Sequence, residues 1–72
     1  MPEAPADPEL RRLARAVVKQ RKAAGLTQER LAELAGISGR HVQALEAARL
    51  NPSYKVLLAL ARAMGVPLSD LV

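Results

Sequence analysis

Cysteine, phenylalanine and tryptophan are absent from this 72-residue chain, and Tyr54 is its single aromatic residue. Without cysteine there is neither a disulfide framework nor a thiolate zinc site, which fits a reducing compartment. One ring gives no stacking platform for splayed, single-stranded bases. His41 is the lone histidine, and with no second histidine or clustered carboxylate around it no metal site is expected. The longest apolar run falls far short of the roughly 20 residues that cross a bilayer. The amino-terminal MPEAPADPE carries acids where a secretory signal carries bases. Paired carboxylates, a nucleophile beside a base and a phosphate-cradling loop are missing too, which argues against an enzyme. The absences together lead to the expectation of a soluble cytoplasmic protein with no cofactor and no membrane association.

What is present is positive charge. Eleven Lys and Arg stand against seven Asp and Glu, a net +4. Glu3, Asp7 and Glu9 precede the main body, so residues 10–72 carry +7. An excess of that kind favours a phosphate partner through counterion release. With stacking unsupported, double-stranded DNA is favoured over single-stranded RNA. The length suits one small domain, of a size that buries only about 60% of its unfolded surface.

Residues 1–6, rich in Pro and Ala, read as a disordered amino-terminal tail with no basic residue to wrap a duplex. Residues 7–72 read as one domain. Asp7 caps a first helix, with Pro8 at its first position and Glu9 in its first turn. Leu10, Leu13, Ala14, Val17 and Val18 give that helix an apolar stripe, and it stops at Gly25. Arg11, Arg15, Lys19 and Lys22 line another face, either as a solvated surface or as phosphate contacts. Ser53 caps a fourth helix reaching Met64, with Leu57, Leu60, Ala61 and Met64 inward. Ser69 is expected to cap a last short turn. Val56, Leu58, Ala59 and Ala63 exceed what one buried face needs; a dimer contact and burial from several sides both account for them.

Between these lies the stretch TQERLAELAGISGRHVQALEAARLNP, Thr27 to Pro52. Thr27 is an N-cap, and Leu31, Leu34 and Ala35 recur at helical spacing before Gly36. Ser38 caps again at once, and Val42 and Leu45 repeat the pattern up to Asn51 and Pro52. Two helices so close together cross steeply, leaving the second free to protrude. The expected fold is all-α, a compact bundle of five short helices with a helix-turn-helix inside it.

At the spacing of Arg21, Gly25-Leu26-Thr27-Gln28, Leu31-Ala32, Gly36-Ile37-Ser38, Val42, Leu45-Glu46, Asn51-Pro52-Ser53, Leu57, Leu60-Ala61, Gly65-Val66 and Leu68, the chain resembles the phage repressor and Cro helix-turn-helix family. That family includes xenobiotic-response-type bacterial transcriptional regulators, and the resemblance covers nearly everything after residue 9. It implies a lambda repressor-like DNA-binding domain that reads an operator through the helix from Ser38 to Ala47, as a homodimer acting as repressor or autoregulator. The other class of reading is an antitoxin-like or other protein-interaction module that keeps the fold.

With Val42 and Leu45 inward, Gly39, Arg40, Gln43 and Ala44 form the base-facing side, and His41 lies at its margin. Arg pairs bidentately with guanine and Gln with adenine, which makes Arg40 and Gln43 the readers. By resemblance, Gln28 approaches a phosphate at the start of the second helix, its plainer role being a local cap partner. Arg49 and Asn51 match positions touching the DNA backbone across the groove. Ser38 has a capping role and a phosphate role open to it, and His41 either touches phosphate or is simply exposed. Arg21 and Glu46 match a partly buried salt bridge joining first and third helices. Two departures stand out. Gly39 lacks the side chain common at a reading position, and Ala48 replaces a common terminal glycine, so the reading helix either runs on or exits under strain. No second domain follows the motif in these 72 residues, so no small-molecule effector is expected.

Overall fold

The computed structural model describes residues 7–72, and the tail expected over residues 1–6 lies outside them. Among the described residues, four α-helices follow one another: α1 (Pro8–Ala23), α2 (Gln28–Ala35), α3 (Gly39–Glu46) and α4 (Tyr54–Met64). A 3-10 turn, Leu68–Asp70, closes the chain's last described segment.

Every one of the four helices starts on a side-chain cap. Asp7 Oδ1 accepts from the Glu9 amide at 2.7 Å, Thr27 Oγ1 from Arg30 at 3.0 Å, Ser38 Oγ from His41 at 3.1 Å and Ser53 Oγ from Val56 at 3.1 Å. Each cap is worth about 1 kcal/mol. That matters most for α2 and α3, eight residues each, because isolated helices below roughly 12–15 residues are marginal in water. Their persistence therefore depends on caps and packing together.

α2 packs on both α3 and α4, and α1 packs on α3. Val17, Leu31, Val42, Leu45 and Leu60 are the largest fully buried side chains, drawn from all four helices. Burial of each such aliphatic side chain contributes about 1.5–3 kcal/mol. Not every apolar position at helical spacing is core: Leu10 and Val18 of the α1 stripe are half-buried outside the core cluster. Leu34 is 47% exposed, at the margin of the stripe that carries Leu31, Ala32 and Ala35. Leu57 is half-buried outside the core cluster, because α4 turns Leu60, Ala61 and Met64 inward with Val56 packed beside them.

The bundle has four helices, not the five expected. The fifth element is a single 3-10 turn, and Ser69 does not cap it; Pro67 holds the cap position without a side-chain bond. Asp70 N donates to Pro67 O at 3.0 Å and Leu71 N to Leu68 O at 2.9 Å. A segment this short forms too few i to i+4 bonds to offset helix nucleation, and Leu71, only 3% exposed, pins it to the core.

The exit of α3 is the strained alternative, not the longer helix. α3 ends at Glu46, and Ala48 takes φ +58°, the one non-glycine with positive φ among the described residues. That conformation costs an L-residue about 1–2 kcal/mol. It is held because the Ala48 side chain is buried, while its amide donates to Leu45 O at 3.1 Å and the Arg49 amide to Ala44 O at 2.9 Å.

Candidate nucleic-acid interface

The turn between α2 and α3 fixes the angle at which α3 leaves the body. Gly36 adopts φ +73°, a left-handed conformation that glycine reaches without the Cβ penalty. The Ile37 amide then donates back to Ala32 O at 3.0 Å. Ser38 restarts the chain as a helix two residues after the turn. Val42 and Leu45 anchor α3 in the core, which leaves Arg40 and Gln43 exposed on its outer face, one turn apart, with Gly39 and Ala44 half-buried at the edges.

A polar node sets the pose of that helix. Glu46, near the end of α3, accepts from Arg21 Nε at 2.7 Å and Arg21 Nη2 at 3.1 Å, a bidentate pair between α1 and α3. Arg21 Nη1 donates to Leu26 O at 2.9 Å in the α1 to α2 loop. Gln28 Nε2 donates to Glu46 Oε1 at 2.9 Å and brings the start of α2 into the same node. The side chains of Arg21 and Glu46 are 13% and 5% exposed. Charges so far from water are costly unless each polar atom has a partner, and here both carboxylate oxygens and all three guanidinium nitrogens have one.

Gln28 is thus braced by a residue 18 positions away, a contact no local rule in the sequence announces. Ser38 Oγ accepts from the His41 amide, a bond that leaves its own O–H free to donate. Arg49 and Asn51 are exposed in the loop between α3 and α4. His41 is half-buried, and its Nε2 is shut off from solvent with no hydrogen-bond partner. A contact absent from the sequence reading involves Gly39: a Cβ placed there would lie 2.5 Å from Glu29 Oε1 and 2.7 Å from Oε2. No group of side chains suited to a metal occurs among the described residues, and no described helix is long and apolar enough to cross a membrane.

What the arrangement offers chemically is a short helix whose exposed face carries a guanidinium and an amide, with the inner face buried through Val42 and Leu45. A helix-turn-helix family model matches residues 17–71. The chain belongs to that helix-turn-helix family. It is 45% identical over 47 residues to an uncharacterised HTH-type transcriptional regulator of Methanothermobacter thermautotrophicus, a match covering 65% of this chain and 68% of that protein. Among solved structures it superposes on the restriction-modification controller protein C.AhdI from Aeromonas hydrophila with a TM-score of 0.89 at 30% identity, covering 92% of this chain and all of that one. The clp gene regulator ClgR from Corynebacterium glutamicum matches with a TM-score of 0.84 at 26% identity, over 90% of this chain and 84% of that one. The relative is thus described as a transcriptional regulator, and the two solved neighbours as a controller protein and a gene regulator.

Proposed function

We propose that this protein binds an operator sequence in double-stranded DNA as a homodimer, lays α3 in the major groove, and regulates transcription as a repressor or autoregulator. The observation that carries this reading is the exposed pair Arg40 and Gln43 on the outer face of a helix held by the Arg21, Glu46 and Gln28 node. The major groove admits one α-helix and displays a distinct donor and acceptor pattern for each base pair. Arg40 reads guanine and Gln43 reads adenine, with Gly39 and Ala44 flanking them on the base-facing side. Arg49, Asn51, Ser38 and the amino end of α2 with Gln28 hold the phosphates on either side. Two copies about a two-fold axis read half-sites about one helical turn apart.

Selection of bound duplexes from a random pool, with oligomeric state measured alongside, tests the reading. Enrichment of a two-fold sequence is expected. Arg40→Ala and Gln43→Ala should each weaken the selected site by about 1–3 kcal/mol while leaving unrelated duplexes nearly unchanged. If no duplex is enriched at moderate salt, the DNA-reading assignment fails and a protein-interaction role for the same fold takes its place.

A further inference from the structure

We infer that Glu29, on α2, supplies the reading group that Gly39 lacks, and that its carboxylate selects cytosine at the base pair facing the start of α3. The inference rests on the DNA-reading role proposed above and adds a residue to it. Both carboxylate oxygens of Glu29 lie where a side chain on residue 39 would begin, 2.5 and 2.7 Å from the position of its Cβ, with Cδ at 2.9 Å. The glycine therefore does not leave an empty position at the rim of the reading face. A side chain from the preceding helix fills it, and an alanine at position 39 would push it away.

The carboxylate is free to act. Glu29 is exposed and enters neither of the ion pairs found among the described residues, which join Arg21 to Glu46 and Arg30 to Glu33. Arg30, its immediate neighbour, is engaged by Glu33 one turn on. Thr27, Glu29, Arg30, Glu33, Ile37 and Gly39 line an open cleft, so the carboxylate that abuts Gly39 also borders a space open to solvent. An ionised carboxylate accepts hydrogen bonds only. In the major groove guanine offers N7 and O6 acceptors, thymine an O4 acceptor, and adenine a donor beside the N7 acceptor. Cytosine offers its N4 amino donor with no acceptor alongside. Cytosine is the base that an acceptor-only group favours: guanine and thymine offer it acceptors alone, and adenine sets N7 beside its donor.

The test is the same duplex selection at moderate salt, followed by binding of the selected duplex across a salt series, on the wild type, Glu29→Gln, Glu29→Ala and Gly39→Ala, each checked for unchanged helical content and melting. The wild type is expected to enrich cytosine about tenfold at one base pair of each half-site. Glu29→Ala should flatten the preference at that pair alone. Glu29→Gln, now donor and acceptor, should move it toward adenine, and Gly39→Ala should weaken it by displacing the carboxylate. Unaltered preferences in Glu29→Ala overturn the inference. So does a variant that binds every duplex more tightly with a steeper salt dependence, since that is the mark of a charge that merely repels phosphate. A wild type that enriches a duplex without cytosine there overturns this inference and leaves the reading by Arg40 and Gln43 standing; a wild type that enriches none overturns both.

Discussion

Ala48 carries a conflict between backbone and side chain. Its φ of +58° belongs to glycine's territory, yet its methyl group is buried, 9% exposed. Ala48→Gly relieves about 1 kcal/mol of backbone strain, but it forfeits about 0.8 kcal/mol of methyl burial and gains unfolded-state entropy. These terms nearly cancel, and the variant should unfold within about 0.5 kcal/mol of wild type. Ala48→Val, by contrast, sets a β-branched side chain at positive φ and should lose about 2 kcal/mol in urea unfolding. Equal midpoints for Val and wild type would show that the loop relaxes at no cost. The sequence pointed to this position because alanine stood at a common glycine site, and it offered two exits. Only the tertiary burial of the methyl group decides between them, and burial is invisible to local pattern.

At the scale of elements, the node around Glu46 joins three helices through one carboxylate. Glu46→Ala leaves the Arg21 guanidinium largely buried without its counter-charge, and a loss of about 3 kcal/mol is expected. Replacing both partners by apolar residues, Arg21→Met with Glu46→Leu, should restore most of it. Denaturation of Arg21→Met, Glu46→Leu and the double variant gives the coupling directly, and additive losses would mean the pair does not act as one. Element starts were the most legible part of this chain. Asp7, Thr27, Ser38 and Ser53 each cap the helix that their sequence context marks, since a cap is satisfied within three residues. The last element is less legible, because Ser69 resembles a cap wherever it stands, while the choice between a helix and a 3-10 turn depends on how Leu71 docks. Gln28 and Glu29 were incompletely legible for the same reason. Their partners, Glu46 and Gly39, lie on another helix, and no periodicity within α2 encodes them.

For the whole molecule, the +7 excess over residues 10–72 sets the response to salt. The logarithm of the binding constant should fall linearly with the logarithm of salt concentration, by about 0.9 for each phosphate neutralised. Arg49→Ala, which removes an exposed charge beside α3, should lower that slope by about 1 and weaken all duplexes alike. A loss confined to the selected sequence would instead place Arg49 on a base. The division of labour in this small body has a consequence for descent as well as for binding. The groups that hold α3 in place, Val42, Leu45 and Glu46, share no atoms with the exposed pair Arg40 and Gln43. If that pair reads bases as proposed, exchanging it changes the operator recognised while the fold's stability stays nearly where it was. A duplicated copy of such a chain can drift to a new target one surface residue at a time, with every intermediate still folded.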